Sequence, residues 1–92
     1  MSDERRYQRA PGAAHAEVDG ERVVVSPSDM RYHALNVTAA AIWDALETPR
    51  TQSSVVDALL DEFEVDPATC RAEVTSCLDR FVEAGIAEPT GD

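Results

Sequence analysis

The side chains able to carry out chemistry are few in this sequence, and their spacing assembles neither a catalytic nor a metal site. The two histidines, His15 and His33, each lie in a segment of strand character, with no acid or cysteine at metal-ligand spacing. The two cysteines, Cys70 and Cys77, are seven residues apart in a predicted helix. Two turns separate them by about 10.5 Å along the axis, too far for a disulfide. We therefore expect surface or packing histidines and two buried thiols, which suit a reducing compartment.

Other motifs of catalysis and cofactor binding are also missing from the sequence. No GxGxxG, P-loop, HExxH or nucleophile elbow occurs, and the four glycines leave little material for a phosphate-binding loop. Ser53 and Ser54 lack the preceding aspartate that marks a phosphopantetheine attachment site. Paired acids such as Asp61 and Glu62 lie on the polar side of a predicted helix, as a solvated face would. We expect no enzyme, no metal and no cofactor.

The chain carries a net charge of −10, with 18 acidic residues against eight arginines. A surface this acidic repels nucleic-acid phosphates, so DNA and RNA are poor partners. It favours a basic partner, or it serves only to keep the chain soluble. No apolar run approaches the roughly 18–20 residues of a membrane span, and the first residues lack a signal-peptide core. We expect a cytoplasmic protein that contacts no membrane.

The first half of the chain reads as three short strands in meander order. Residues 1–12 are polar and are expected to form a mobile arm. Asp19-Gly20 predicts a type I′ hairpin turn, and a third strand follows at Arg31–Leu35. Strand alternation then gives one buried face and one mostly wet face. One face carries Ala16, Val18, Val23 and Val25, and the other carries His15, Glu17, Arg22 and Val24.

Three helices follow the strands. Helical spacing and caps predict Val37–Leu46 and Gln52–Phe63, and then a third helix from Pro67 to a C-terminal stop at Gly85. The order βββααα predicts an α+β fold resembling a winged helix-turn-helix. The domain is expected to span residues 13–88, followed by a short tail at 89–92.

The apolar arc of the third helix covers about 160°, which is wider than the roughly 100° stripe of a surface helix. Glu73 and Arg80 stand together on one lip of this arc. A wide arc is explained if the helix packs on both the other helices and the sheet. It is also explained if part of the arc lines a groove, and the residues alone leave both explanations open.

Three stretches of the chain carry recognisable motifs: ALNVTAAAIWDALETPRT, VVDALLDEFEVDP and AEVTSCLDRFVEAGIAE. The motifs are LN before a helix that ends in IW, VDP before the last helix, and AGI at the end of that helix. In this order and spacing they resemble the PqqD-like family, the peptide-recognition elements of ribosomal peptide maturation. The resemblance runs from about Val23 to Glu88. It implies a stand-alone, non-catalytic module of lasso-peptide or pyrroloquinoline quinone pathways.

The resemblance also implies a binding site and its partners. The leader of a precursor peptide would add as a strand to the third strand, in a groove with the third helix, for delivery to a leader protease, a cyclase or a radical SAM enzyme. The residues implied are Arg31, Tyr32, His33, Ala34, Leu35, Glu73, Cys77, Arg80 and Phe81. Cys77 is smaller than the bulky residue that the family often has at this position, which predicts a wider pocket and an aromatic or branched anchor. The acidic surface predicts that basic leader residues assist capture.

Two other functions fit the same pattern. A winged-helix transcriptional regulator would share the fold, but its reading helix would need more basic residues than Arg71 and Arg80 among several acids. A generic acidic adaptor would share the composition, but its groove would bind no extended peptide.

Overall fold

The computed structural model describes residues 5–90. They form two small antiparallel sheets and three helices around one core. The elements in chain order are β1 (Arg6–Arg9), β2 (Ala14–Val18), β3 (Glu21–Val25), β4 (Tyr32–Leu35), α1 (Val37–Ala45), β5 (Arg50–Thr51), α2 (Gln52–Glu62), α3 (Pro67–Ala84) and β6 (Ala87–Pro89). The predicted three-stranded sheet followed by three helices is confirmed, with a second sheet in addition.

The main sheet has the strand order β2-β3-β4, with both pairs antiparallel. Asp19 and Gly20 have φ angles of 53° and 84°, as a type I′ turn requires. The turn sets the register of β2 and β3, in which Glu17 pairs with Arg22. β4 pairs with β3 along one edge only, so its other edge is open within residues 5–90.

The main sheet packs on the helices through the face that carries His15, Glu17, Arg22 and Val24. Val24, in the central strand, is completely buried on this face. The more apolar face points away from the helices, and Val18 and Tyr32 on it are 54% and 77% exposed. The alternation of side chains between the two faces was therefore predictable from the sequence. The face that packs on the helices also carries His15 and Arg22, because their side chains form hydrogen bonds with Trp43 and Asp44 of α1.

The second sheet has the order β5-β1-β6 and joins the two ends of the chain. β1 pairs antiparallel with β6 from Tyr7, opposite Pro89, to Arg9, opposite Ala87. The Gln8 side chain adds a hydrogen bond from Nε2 to Glu88 Oε2 at 2.7 Å. Tyr7 packs against the core.

β1 lies in the stretch that the sequence predicted to be a mobile arm. The prediction relied on the absence of an apolar face in residues 1–12. Strand pairing, however, uses main-chain groups that almost every residue has, so Arg6–Arg9 needs no such face. Residues 1–4 and 91–92, the outer parts of the expected arm and tail, lie outside the described residues.

The helices begin at polar caps that the sequence marks. Asn36, Thr51 and Asp66 each accept a hydrogen bond from the backbone N–H three residues later, at the first turn of α1, α2 and α3. α3 ends at Gly85, and the N–H of Ile86 donates to the Phe81 carbonyl at 3.0 Å. The caps therefore place every helix within two residues of its predicted bounds.

Trp43, at the end of α1, is the centre of the core and is completely buried. Its indole Nε1 donates to His15 Nδ1 at 3.0 Å, and its ring meets Phe81 of α3 edge to face. The Arg9 guanidinium lies 4.6 Å from the ring centroid and donates twice to the Trp43 carbonyl. One side chain thus connects both sheets with two helices.

Three further features bear on the predicted chemistry. Cys70 and Cys77 are buried free thiols, as expected. Among residues 5–90, no helix is long and apolar enough to cross a membrane. The same residues contain no group of three or more His, Cys, Asp or Glu side chains that could hold a metal ion.

Replacing Gly85 tests the junction between α3 and the main sheet. Gly85 has a φ of 80°, and an added Cβ would lie 3.2 Å from the hydroxyl oxygens of Ser26 and Ser28. We expect Gly85→Ala to lower the free energy of unfolding by about 1–2 kcal/mol from backbone strain, and further through this close contact, as measured by urea denaturation. Gly20→Ala is the control, because Gly20 has a φ of 84° with nothing near its added Cβ. Equal losses in both variants would contradict a role for the serine contact.

Candidate functional site

The open edge of β4 offers backbone groups in an alternating pattern. The Ser26 N–H donates to the Arg31 carbonyl at 2.9 Å, in continuation of the β3–β4 register. Hydrogen-bonded and non-hydrogen-bonded pairs alternate along an antiparallel ladder. His33 therefore turns its N–H and C=O toward β3, whereas Tyr32 and Ala34 turn theirs toward the open edge. The two-residue turn between β2 and β3 requires the same alternation.

Arg31 does not belong to this edge. β4 begins at Tyr32, and the Arg31 N–H donates to Asp29 Oδ1 at 3.1 Å. Its carbonyl accepts the bond from Ser26, so both backbone groups are already used. The predicted strand therefore starts one residue too early, because the side chain of Asp29 closes a local turn there.

A groove runs between the open edge of β4 and α3, and its first part is a chamber of about 270 Å³ in which most of the lining residues are apolar. His33 and Leu35 line it from the inner face of β4, and Phe81 and Ala84 line it from α3. Ile86 closes the end beyond α3. We call this space the apolar chamber.

The groove continues into a second, polar chamber of about 260 Å³. Glu73 and Ser76 of α3 line it, with Thr38 from the first turn of α1. Asn36, Ala39, Cys77 and Arg80 line both chambers. The N-terminus of α1 therefore forms one wall of the groove, because the chain turns from β4 directly into that helix.

The groove contains polar and charged side chains as well as apolar ones. Burial raises the pKa of the Cys77 thiol, while the adjacent Arg80 guanidinium acts in the opposite direction. Burial therefore favours the neutral thiol at this position. His33 Nε2 is buried and has no hydrogen-bond partner within residues 5–90. The groove therefore combines apolar walls with charges of both signs at its rim.

The structure brings most of the predicted residues together. His33, Ala34, Leu35, Cys77, Arg80 and Phe81 line the apolar chamber, and Glu73 lines the polar one. The Tyr32 side chain points to the opposite face of the sheet. Sequence reasoning missed six lining residues: Asn36, Thr38, Ala39, Ser76, Ala84 and Ile86. Ser76 carried a signal, because it lies between Glu73 and Arg80 at helical spacing on α3.

The outward face of the main sheet forms a second exposed apolar surface, which we call the outer face. It is concave, and no helix covers it within the described residues. Its residues are Ala14, Ala16, Val18, Val23, Val25, Tyr32 and Ala34, with His15 at the border. An uncovered apolar surface over three strands is typical of a contact with another protein.

The fold has counterparts among solved structures. TbiB1 in complex with the TbiA(beta) leader peptide has a TM-score of 0.80 at 24% identity, covering 92% of this chain and 99% of that chain. Lasso peptide synthetase B1 complexed with the leader peptide has a TM-score of 0.77 at 25% identity, covering 90% and 98%. No curated protein sequence matches the chain significantly.

The family comparison covers the same elements. Residues 21–87 match the family described as coenzyme PQQ synthesis protein D, PqqD. This match extends from β3 through all three helices to β6, and therefore includes every element that lines the groove. Because it spans well over half of the sequence, this protein is a member of the PqqD family.

Proposed function

We propose that this protein is a non-catalytic module that captures the leader of a ribosomally made precursor peptide and presents it to a maturation enzyme. The leader adds as a strand to the open edge of β4, in the groove with α3. The observation that carries the proposal is this edge, which faces a groove lined by the neighbouring helix. The similarity to two proteins solved with leader peptides supports it.

The open edge supplies affinity that depends little on peptide sequence. The backbone groups of Tyr32 and Ala34 point into solvent along β4, and an extended peptide can satisfy them with its own main chain. Side chains of the added strand alternate, so every second one enters the groove. The chambers then select among peptides. The net charge of −10 favours leaders with basic residues outside the groove.

Cys77 sets the depth of the groove in this proposal. It lies on the floor, 2% exposed, and is common to both chambers. A small side chain there leaves room for a bulky partner, so the anchor of the leader is aromatic or branched. Most of the anchor's contribution is the burial of its apolar area, about 1.5–3 kcal/mol for a whole side chain.

The outer face is the surface that receives the maturation enzyme. A bound leader fills the groove but leaves this face free, and the face is apolar across all three strands. The enzyme approaching it also meets the leader, because the alternate side chains of a strand on β4 lie beside Tyr32 and Ala34. Lasso-type and quinone-type enzymes both fit this proposal. A cytoplasmic location belongs to it, since both cysteines are free thiols.

The first prediction of this proposal concerns the edge of β4. We expect Ala34→Pro to weaken binding of a fluorescein-labelled leader, from the precursor encoded beside this chain, at least tenfold in an anisotropy titration. The proline removes an N–H that points to the open edge, and edge strands tolerate proline. Glu17→Pro is the matched control, because the same alternation points its N–H out of the opposite edge, on β2. Equal weakening by both prolines, or none, would contradict strand addition.

The leader itself provides a second test of strand addition that does not depend on the folding of a variant. N-methylation of alternate leader residues blocks the main-chain bonds of one edge only. N-methylation of one alternate set of leader residues is expected to abolish binding, and N-methylation of the other set is expected to leave binding nearly unchanged. Binding that weakens as salt rises would support the role of basic leader residues.

The second prediction concerns the anchor. Cys77→Phe is expected to weaken leader binding at least tenfold, because the larger ring fills the space for the anchor. Cys77→Ser keeps the volume and is expected to bind within a few-fold of wild type, with circular dichroism to verify the fold of each variant. A leader whose anchor is changed to alanine should discriminate less between wild type and Cys77→Phe. Undiminished binding of the original leader by folded Cys77→Phe would rule out this role.

The third prediction separates the two surfaces. Val23→Glu places a charge in the middle of the outer face and is expected to slow leader-dependent processing by the maturation enzyme encoded beside this chain, while leader affinity stays unchanged. Val37→Glu is the matched control, because Val37 is 72% exposed on α1 and lies off the outer face. If Val23→Glu supports processing at the wild-type rate, the enzyme docks elsewhere.

A further inference from the structure

The polar chamber contains two opposite charges that are not paired with each other. Glu73 and Arg80 are seven residues apart on α3 and both line the chamber. Neither forms an ion pair within residues 5–90, where the ion pairs involve Arg9, Arg22 and Arg31. In a chain with a net charge of −10, this chamber is formally neutral and presents one donor group, the Arg80 guanidinium beside Cys77, and one acceptor group, the Glu73 carboxylate.

The α3 residues that line the two chambers have the same spacing, shifted by four positions. The polar chamber is lined there by Glu73, Ser76, Cys77 and Arg80. The apolar chamber is lined by Cys77, Arg80, Phe81 and Ala84, each four positions later than its counterpart. Four residues of a helix rise about 6 Å. Side chains on the same face of a strand repeat every two residues, about 6.6–6.8 Å. On a strand that runs alongside α3, consecutive inward side chains therefore match the two chambers.

We infer that the leader carries a neutral polar side chain with both a donor and an acceptor, asparagine or glutamine, two positions from its apolar anchor. The inference rests on the proposed function. The amide oxygen accepts from the Arg80 guanidinium, and the amide NH₂ donates to the Glu73 carboxylate. Each of these bonds has one charged partner and is stronger than a bond between neutral groups.

Charged side chains fit this chamber less well than an amide. A carboxylate that pairs with Arg80 faces Glu73 across the chamber, and an ammonium that pairs with Glu73 faces Arg80. Either one also loses hydration on entering the groove. The hydroxyls of Thr38 and Ser76 line the same walls and favour a hydrogen-bonding group over an apolar one. The pair of charges thus selects by exclusion as well as by attraction.

Removing one charge at a time should change the selected residue in opposite directions. Glu73→Gln leaves Arg80 alone, so the chamber should prefer aspartate or glutamate. Arg80→Gln leaves Glu73 alone, so it should prefer lysine or arginine. A residue with a merely structural role would lower all affinities together and would not switch the preference. Arg71→Gln and Glu83→Gln are matched controls, since both residues are exposed on α3 and line neither chamber.

The experiment is a selection of random 14-residue peptides by mRNA display, on wild type, the two chamber variants and the two controls. Selected peptides are aligned on their apolar anchor, and the residue two positions away is counted on each side. Enrichment of asparagine or glutamine for wild type and for both controls, with acidic and basic residues for the respective variants, is the expected result. Anisotropy titrations of matched synthetic peptides should then show preferences of about tenfold.

The outcomes separate this inference from the proposed function. If wild type enriches no peptide family, the proposed leader binding itself fails. If wild type enriches anchored peptides but the neighbouring position is random, or is the same in both chamber variants, leader binding stands and the role of Glu73 and Arg80 is wrong. If acidic or basic residues dominate for wild type, one charge alone controls the chamber and the inference is overturned.

Discussion

The burial of Trp43 is the constraint on which the rest of this structure depends. Its ring contacts Phe81 of α3 and carries the Arg9 guanidinium, while its indole N–H is satisfied by His15. A buried indole without an acceptor would cost roughly 1–3 kcal/mol, so the position of β2 is tied to α1. The contact with Phe81 ties α3 to α1 in turn, so the wall of the groove that α3 forms is linked through Trp43 to the main sheet.

The alternating direction of the backbone N–H and C=O groups along the strands is a second constraint, and it follows from the hairpin. The Asp19-Gly20 turn decides which residues of β3 bond to β2 and which bond to β4. The same alternation continues into β4, where the N–H and C=O groups of Tyr32 and Ala34 face the open edge. A turn of one more residue would invert the choice and, with it, the set of side chains that enters the groove. The geometry of the site is therefore set about 12 residues before the strand that forms it.

Local signals in the sequence were sufficient for the main sheet, the three helices and much of the groove. Polar caps such as Asn36 and the glycine at position 85 are read from a few neighbouring residues, and they locate the helices. The strand β1 was not predictable in this way, because its partners β5 and β6 are about 45 and about 80 residues later in the chain. The Arg31 backbone was misjudged because a single side chain, Asp29, competes for its N–H. The buried face of the sheet depended on His15 bonding to Trp43, which no local pattern records.

In the proposed complex, the strand added to β4 joins two surfaces at once, which would let one small domain both hold and present a peptide. In the proposed complex, inward side chains of the leader lie among Cys77, Arg80 and Phe81, where selection takes place. Outward side chains extend the outer face beyond Tyr32 by one strand, about 4.8 Å. A partner that needs this wider surface binds the free protein poorly, since both the area and the peptide's side chains are missing. Selectivity at the groove thereby becomes a condition for recruitment at the opposite face, without any conformational change.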